Sequence, residues 1–390
     1  MRFVLYKGQS QYGALRLHVD QLAAALIGLG HEASIIDLTA SDFRDQVNAA
    51  LATPPDCFFG FSGVGHEIKS GAASAYDVAG AAYASLYLDH PIHHIPRLSV
   101  RIDRHIALFL DRSHVQFMTA WSKGRQFRQL GFLPPGANEL AEPVDLSDEA
   151  FAERDIGLLF TGTYRGQPLT PWREGPDNPA RTVVEGVAER MAADARLPIL
   201  DAVRATLKDR YDSELTPDLF EQLLPLLQAP QVFAEAYHRD HFLQTLGEVG
   251  APLTVYGTGW EPMAELYPSF NYGGVGSFEE TLSLIRRSRI VLNTNNGFVA
   301  GGHERVFTAM CGGAVVVSDE SKYYAEAFKP HELATFAWDR LEQLPELLGG
   351  LLGDESLMAT VARAGARKAQ AEHTWTARAV RLVKAVKQAG

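Results

Sequence analysis

The sequence predicts an α/β protein with two domains, each built around a doubly wound parallel β-sheet. Apolar runs of strand length alternate with helical patterns through the first half of the chain, and the alternation resumes at Ile156. Residues 289–319 repeat the pattern in compact form, as strand, glycine loop, helix, glycine stop and strand. This alternation is typical of parallel sheets with helices on both faces.

The first domain is predicted to span residues 1–138. Residues 15–29 carry apolar side chains at near-helical spacing, which predicts a helix after the first strand. The run PPGAN ends the domain, and the acidic stretch at 139–155 predicts a linker. The predicted strands of this domain are residues 2–6, 33–38, 57–61, 84–88, 106–110 and 116–120.

The second domain is predicted to span residues 156–372. It opens with the apolar run IGLLF, and residues from about 177 to 247 show mostly helical patterns interrupted by prolines, which predicts a helical insertion. Sheet character returns at 253–256, and Ser277 with Glu280 predicts a capping box at the next helix. The amphipathic segment 373–390 predicts a C-terminal helix.

Composition excludes several classes of protein. Apolar residues make up 46% of the 390 residues, which is typical of globular proteins, and the formal charge of −11 opposes non-specific binding to nucleic acid. No apolar run approaches the ~20 residues of a transmembrane helix, and the N-terminus lacks a secretory signal. The two cysteines predict no disulfide framework. A soluble cytoplasmic protein is therefore expected.

Three glycine loops follow predicted strands of the second domain, where ligands bind in open parallel sheets. The loop before the helix at 303–311 offers backbone N–H groups at a helix N-terminus, and Arg305 adds forked donors, which favours a phosphate. The alternative is that the turns need glycine for their backbone conformation, whatever the loops bind. The candidate phosphate- and nucleotide-binding residues are Gly162, Arg165, Gly257, Thr258, Gly259, Gly301, Gly302, His303, Glu304 and Arg305.

Two runs of residues resemble a known family. One is R-x-F-x-A-M-x-x-G, beginning at Arg305, and the other is H-T-W-x-x-R-A, beginning at His373. They resemble glycosyltransferases of the GT-B fold, most closely the spore-maturation-type (CgeB-like) branch. The resemblance implies two Rossmann-like domains with a central cleft and a C-terminal helix that crosses back to the first domain. The matching residues are Arg305, Phe307, Ala309, Met310, Gly313, His373, Thr374, Trp375, Arg378 and Ala379.

The resemblance also implies a chemistry. Such enzymes move a sugar from a nucleotide-diphosphate sugar, here UDP- or GDP-linked, with no metal and no other cofactor. Retaining members often carry two glutamates eight residues apart, and those positions are Ala300 and Thr308 here. Glu304 is therefore either a substitute that contacts the ribose or sugar, or a carboxylate favoured at a helix start. His303 is either a phosphate ligand or an exposed loop histidine.

A base that accepts the acceptor hydroxyl proton is predicted in the first domain. His66 and Asp89 each follow a predicted strand and carry groups suited to this role. The spacing H-P-I-H-H after Asp89 fits no standard zinc pattern, so no metal site is predicted, and structural histidines are the alternative. The residues predicted to line the acceptor side are Gly8, Gln9, Ser10 and His90.

The sequence thus predicts a metal-independent glycosyltransferase whose acceptor, a saccharide, a lipid-linked molecule or a protein, it does not identify. Two alternatives remain open. One is a two-lobed nucleotide-sugar-binding protein that has lost its chemistry, which the missing glutamates at Ala300 and Thr308 allow. The other is a nucleotide-sugar epimerase on the same fold, which needs no separate acceptor site.

Overall fold

The chain divides into an N-terminal unit, residues 1–138 and 371–390, and a C-terminal unit, residues 139–370. The computed structural model describes residues 1–122, 127–139, 142–295 and 297–389. Residues 140 and 141 of the predicted linker, and the last residue of the predicted C-terminal helix, lie outside the described residues. Across the described ranges, none of the helices combines the length and apolar character that crossing a membrane needs.

The described part of the N-terminal unit forms a parallel sheet in the strand order β2-β1-β3-β6-β7-β8. A short antiparallel hairpin, β4 with β5, lies between the third and fourth strands of the sheet along the chain. The strands are β1 (Arg2–Lys7), β2 (Glu32–Asp37), β3 (Cys57–Phe61), β4 (Lys69–Ser70), β5 (Ala73–Ser74), β6 (Ala82–Tyr87), β7 (His105–Phe109) and β8 (Gln129–Phe132). The helices are α1 (Ala14–Gly28), α2 (Phe43–Ala52), α3 (Ala75–Ala79), α4 (Ile95–Leu98) and α5 (Arg112–Trp121), with 3-10 turns at Gln11–Gly13 and Pro91–His94.

The described part of the C-terminal unit forms a second parallel sheet, in the order β11-β10-β9-β12-β13-β14. Its strands are β9 (Ile156–Thr161), β10 (Leu253–Tyr256), β11 (Asn271–Tyr272), β12 (Ser288–Asn293), β13 (Val315–Asp319) and β14 (Ala334–Phe336). Its helices are α6 (Asp148–Ala152), α7 (Pro179–Ala193), α8 (Ile199–Tyr211), α9 (Pro217–Leu223), α10 (Gln228–Glu248), α11 (Glu261–Leu266), α12 (Phe278–Arg287), α13 (Glu304–Cys311), α14 (Lys322–Ala327), α15 (Leu344–Leu352) and α16 (Glu355–Glu372), with 3-10 turns at Pro171–Glu174, Leu224–Leu226 and Trp338–Gln343.

Two parallel sheets confirm the predicted fold class. The buried β-branched and aliphatic residues of β12 and β13 pair in register, with Ile290 opposite Val315 and Leu292 opposite Val317. Both faces of these strands are buried, as is expected where helices cover a parallel sheet on each side. The predicted capping box at Ser277 is present, because its side chain accepts from the N–H of Glu280 while the glutamate side chain accepts from the N–H of Ser277.

One predicted strand is wrong. Residues 116–120 belong to α5, a helix whose N-cap, Asp111, accepts a hydrogen bond of 2.6 Å from the N–H of Ser113. The buried residues His114, Phe117 and Trp121 lie three and four positions apart, which is helical spacing. The sixth strand of the sheet is instead β8, which the sequence analysis missed. The predicted linker also contains a short helix, α6.

The C-terminal helix, α17 (Trp375–Ala389), belongs to the N-terminal unit and packs against α1. The H-T-W run anchors it. The carbonyl of His373 accepts from the N–H of Ala137 at 2.7 Å, and Trp375 Nε1 donates to Asn138 Oδ1 at 3.0 Å. Arg378 Nε donates to the carbonyl of Pro135 at 2.9 Å. This run therefore joins α17 to the PPGAN segment, and a structural role accounts for it.

Candidate functional site

The sheet of the C-terminal unit reverses its strand order between β9 and β12. The chain leaves β9 towards β10 and β11 on one side, and continues from β12 to β13 and β14 on the other. Loops that follow two strands diverging in this way leave a crevice at their carboxyl ends, where ligands of open α/β sheets bind. Thr161 ends β9 and Asn293 ends β12, so these two residues mark the crevice.

Arg305, in the first turn of α13, reaches the ends of both strands. Its Nε donates to Thr161 Oγ1 at 3.1 Å, and its Nη1 donates to Asn293 Oδ1 at 2.7 Å. The guanidinium carbon lies 5.4 Å from the centre of the Phe160 ring. Burial lowers the pKa of Arg305 from its ordinary value. Arg305, the residue predicted to bind phosphate, is thus half-buried and held at the point of strand reversal.

A second arginine, which the sequence analysis missed, lies at the same crevice. Arg239 comes from α10 of the helical insertion, donates from Nη1 to the carbonyl of Thr163 at 2.9 Å, and places its guanidinium carbon 6.0 Å from the centre of the Phe160 ring. Burial, together with the nearby positive charge of Arg305, lowers the pKa of Arg239 to about 10, and the carboxylate of Glu235 opposes the shift. Nothing local in the sequence marks Arg239, because only tertiary folding brings α10 to β9.

The charges around the crevice are more positive than the chain as a whole. Arg165 is exposed and pairs with Glu235 at 3.5 Å. Glu304 contacts the His303 imidazole at 2.5 Å. With Arg239 and Arg305, the cluster holds three arginines and two glutamates in a protein whose formal charge is −11. Two half-buried guanidinium groups that repel each other favour an anion between or beside them.

At least one N–H group at the start of α13 is used within the protein. The N–H of His303 donates to the Tyr324 hydroxyl at 3.1 Å, and the N–H of Arg305 points to His303 Nδ1 at 3.2 Å. One ring nitrogen cannot donate to Glu304 and accept from Arg305 at once. The contact with Glu304 is the shorter, so we assign the Nδ1 proton to it.

Gly301 and Gly302 are both buried, and packing accounts for them. A Cβ at Gly302 would lie 2.7 Å from Cε1 of Tyr324. The carbonyl of Gly301 accepts from Ser321 Oγ at 2.5 Å. Both contacts come from the N-terminal part of α14 and its cap, so this short helix supports the glycine loop.

The other two glycine loops pack on each other, and this close backbone contact is sufficient reason for their glycines. A Cβ at Gly257 would lie 2.1 Å from the carbonyl oxygen of Gly162, and one at Gly259 would lie 2.3 Å from that of Tyr164. The N–H of Gly162 donates to the carbonyl of Tyr256, and that of Tyr164 to the carbonyl of Thr258, both at 2.9 Å. A Cβ at Gly162 would also lie 3.1 Å from Nη2 of Arg305, so this glycine leaves room for the guanidinium group.

A buried polar network beneath the crevice was also missed. Asp319 ends β13, and its carboxylate accepts from the N–H of Asn295 at 2.7 Å and from Trp338 Nε1 at 3.0 Å. Tyr324 donates its hydroxyl hydrogen to Asn295 Oδ1 at 2.9 Å. The polar runs at the carboxyl ends of β12 and β13, NTNN and SDE, are the signal in the sequence that could have indicated this network.

In the N-terminal unit, Gln9 and Ser10 line a cavity of about 520 Å³ together with Arg16 and Thr39. Arg16 forms a two-pronged pair with Asp37, and this pair holds the pKa of the Asp37 carboxyl well below its usual range. The predicted residue Gly8 lies beside this cavity's loop, where a Cβ would come within 3.2 Å of Val64. Each of the four lining residues carries a polar group, and the guanidinium group of Arg16 is paired with Asp37.

The two base candidates occupy different surroundings. Nδ1 of half-buried His66 donates to the carbonyl of Gly63 at 2.7 Å, which leaves Nε2 as the proton-accepting nitrogen. Burial lowers the pKa of His66, so the imidazole is neutral at pH 7. The loop that carries His66 is tied to β6, because the hydroxyl of Tyr83 donates to the carbonyl of Val64 at 2.8 Å. Asp89 is exposed and lies 3.6 Å from His94 Nε2.

His90, which is predicted to line the acceptor side, is buried. Its Nδ1 accepts from the N–H of Ile92 at 3.1 Å and caps the turn at Pro91–His94. Its ring meets His114 edge-on at 4.5 Å, and burial lowers its pKa well below the ordinary value. Capping and ring packing are thus sufficient to account for a histidine at this position. Within the described part of the chain, no cluster of three or more histidine, cysteine or acidic residues is arranged to hold a metal ion.

Part of the chain matches a known family model, and the whole length of the chain aligns with known structures. Residues 239–384 match a family model described as glycosyl transferase-like. No curated protein sequence matches the chain. Among solved structures, sucrose-phosphate synthase from Thermosynechococcus elongatus aligns over 100% of this chain and 99% of its own, with a TM-score of 0.55 and 11% identity.

Two further structures align over 99% of both chains. HepE of Anabaena, in complex with UDP and glucose, has a TM-score of 0.52 and 10% identity. An alpha-glucosyltransferase in complex with UDP and a 13-mer DNA has a TM-score of 0.56 and 9% identity. At these identities the likeness shows the fold alone, and the fold class is GT-B, with two Rossmann-like domains.

Proposed function

We propose that this protein is a glycosyltransferase that takes a UDP-linked sugar and transfers the sugar to an acceptor without a metal ion or other cofactor. The observation that carries the proposal is the pair of half-buried guanidinium groups, Arg239 and Arg305, at the reversal point between β9 and β12. The match of residues 239–384 to the glycosyl transferase-like model includes both arginines and supports it. The R-x-F-x-A-M-x-x-G run from Arg305 supports a place in the CgeB-like branch.

The choice of UDP rests on structural neighbours. HepE and the alpha-glucosyltransferase were both solved with UDP, and another HepE structure holds UDP-glucose. A diphosphate is negatively charged, and each of its phosphates offers pairs of oxygens that can accept two parallel hydrogen bonds from one planar guanidinium group. We therefore assign the diphosphate to the crevice beside Phe160, where Arg239 and Arg305 approach it from the insertion and from α13.

The same groups supply the catalysis. When the bond between the sugar and the diphosphate breaks, negative charge grows on the departing phosphate oxygen. Arg239 and Arg305 are fixed by hydrogen bonds to Thr163, Thr161 and Asn293 before the reaction begins, so they stabilise that charge without reorganising. The low local polarity that depresses the arginine pKa values also strengthens each contact with the phosphate.

The acceptor side is assigned to the N-terminal unit. The cavity lined by Gln9, Ser10, Arg16 and Thr39 offers hydroxyl and amide groups suited to a hydroxyl-rich acceptor. His66 is a candidate base because its Nε2 is free of a proton in the tautomer that Gly63 selects. Asp89 is the second candidate, since an exposed carboxylate after β6 is accessible to an acceptor hydroxyl.

The two alternative functions predict different products from the same assay. The protein is incubated with a panel of nucleotide sugars, and both nucleoside diphosphate release and sugar identity are measured. Slow release without an acceptor supports the transferase. A changed sugar with no release supports an epimerase, and tight binding with neither change supports a binding protein without chemistry.

The donor assignment is tested by calorimetric titration of UDP into arginine variants. Arg305→Ala and Arg239→Ala should each weaken UDP binding by about 10- to 100-fold, because each removes charged hydrogen bonds from a half-buried site. Arg340→Ala is the matched control, since its side chain is 60% exposed and lies outside the crevice. If both crevice variants bind UDP as the control does, the diphosphate lies elsewhere and the proposal fails.

A further inference from the structure

A chain of buried hydrogen bonds lies under the glycine loop of the C-terminal unit. It begins at Asp319, whose carboxylate accepts from the N–H of Asn295 at 2.7 Å, from Trp338 Nε1 at 3.0 Å and from Ser318 Oγ at 3.2 Å. These donors come from the loop after β12, from the 3-10 turn after β14 and from β13 itself. Asp319 therefore links three segments of the sheet edge.

The chain continues from Asn295 to the loop that the donor assignment uses. Asn295 Oδ1 accepts from the Tyr324 hydroxyl at 2.9 Å, and the same hydroxyl accepts from the N–H of His303 at 3.1 Å. Asn295 Oδ1 also faces Asn293 Nδ2 at 3.3 Å, and Asn293 Oδ1 accepts from Arg305 at 2.7 Å. Two branches thus run from Asp319, one to the cap of α13 and one to its arginine.

The protein retains this network at a cost in stability. Asp319 is 4% exposed, and burial raises the pKa of its carboxyl to about 6, so a desolvated charge is present at neutral pH. Asn295 is 2% exposed, and among the described residues its Nδ2 has no hydrogen-bond partner. Buried polar groups in this condition are uncommon in folded proteins and cluster at functional sites. A purely apolar contact beneath the loop would avoid both costs.

We propose that Tyr324, Asn295 and Asp319 are positioning residues that hold the glycine loop and Arg305 in the geometry that binds the donor diphosphate. The inference rests on the proposed function and adds the elements that support its site. Tyr324 is central, because its hydroxyl holds the N–H of His303 while its ring packs against Gly302. None of the three needs to touch the donor.

The expected effect on UDP affinity follows from the fraction of molecules in which the glycine loop has its binding conformation. Without the Tyr324 hydroxyl, the N–H of His303 and Oδ1 of Asn295 each lose a buried partner, and the present loop conformation loses its advantage over others. If the binding conformation falls to about a tenth of the population, the apparent dissociation constant for UDP rises about tenfold. A residue that only stabilises the unit lowers the unfolding temperature but leaves UDP affinity of the folded protein unchanged.

The first test compares Tyr324→Phe with Tyr323→Phe, which is the same chemical change on the neighbouring residue of α14. Calorimetry with UDP should give a dissociation constant about tenfold higher for Tyr324→Phe and unchanged for Tyr323→Phe. A wild-type protein that binds no UDP overturns the proposed function and this inference together. If wild type binds UDP, Arg305→Ala binds it about 10- to 100-fold more weakly and Tyr324→Phe binds it like wild type, the proposed function stands and the inference is wrong.

A second test asks whether the residues act as one chain. Asn295→Ala should also weaken UDP binding about tenfold, and the double variant with Tyr324→Phe should be no weaker than the worse single variant, because each change breaks the same connection. If the double variant instead binds UDP about a hundredfold more weakly than wild type, the two residues contribute independently and the proposal of one shared chain is overturned. This cycle also keeps the inference testable if one single variant folds poorly.

Discussion

Replacing Asp319 with asparagine should change the pH dependence of stability in a direction fixed by burial. Desolvation raises the pKa of the Asp319 carboxyl from 3.8 to about 6, against the opposing hydrogen bonds from Trp338 and from the N–H of Asn295. The folded state therefore holds a proton at pH values where the unfolded chain has already released it. Its stabilising effect is complete below pH 3.8 and is lost as the pH rises through about 6.

The magnitude follows from the size of the shift. A change of about two pKa units corresponds to about 3 kcal/mol between the two protonation states. Asp319→Asn removes this pH dependence, so the unfolding free energy of the variant relative to wild type should rise by about 2.5 kcal/mol between pH 4 and pH 7.5. The lost hydrogen bonds add a constant offset and leave this slope unchanged.

Hydrogen exchange followed by mass spectrometry on peptides from β13 and α14 measures the relevant local free energy, because it isolates the C-terminal unit from the rest of the chain. Asp339→Asn is the control, since its side chain is 62% exposed in the turn that also contributes Trp338. If the unfolding free energies of wild type and Asp319→Asn change with pH in parallel, within about 0.5 kcal/mol, burial does not raise the pKa of the Asp319 carboxyl and the reasoning is refuted.

Three further outcomes are expected. Gly257→Ala should lower the unfolding free energy by at least about 2 kcal/mol in chemical denaturation, because its Cβ would meet the Gly162 carbonyl at 2.1 Å; an unchanged midpoint contradicts the packing of the two loops. Asp89→Asn and His66→Gln should leave UDP affinity unchanged, and the base is the one whose loss cuts turnover by about 10²- to 10⁴-fold; full activity in both removes both candidates. Gly136→Ala should expose α17 to proteolysis, because the new Cβ would lie 2.5 Å from the Trp375 ring; unchanged resistance contradicts the anchor.

The fold could be predicted because its signals are local. The strands β12 and β13 are apolar runs closed by glycine or polar residues, and each run has the length of a buried parallel strand. The helix α5 was misassigned because its buried residues Phe117 and Met118 are adjacent in the short run QFMTA. Such a run fits a strand or a helix equally well, and only the Asp111 cap and the spacing to Trp121 decide between them.

The site could be predicted only where one segment carries it. Arg305 stands beside the glycine loop in sequence, so its place at the crevice was accessible to sequence reasoning. Arg239 is separated from Arg305 by more than sixty residues, and it lies on α10, a helix of the insertion whose local sequence does not indicate a ligand. The network through Asn295 and Asp319 depends in the same way on strands that meet only in the folded sheet.

The glycines and the arginines of this site carry different kinds of information. Each of Gly257, Gly259 and Gly302 is required by a contact inside the protein, with a carbonyl oxygen or with the Tyr324 ring, so their presence says little about a ligand. The guanidinium groups are different, because burying two like charges beside one aromatic ring costs free energy that internal packing does not explain. An anionic ligand offsets that cost when it binds. The arginine variants therefore test the proposed function, whereas glycine variants test only the fold that presents it.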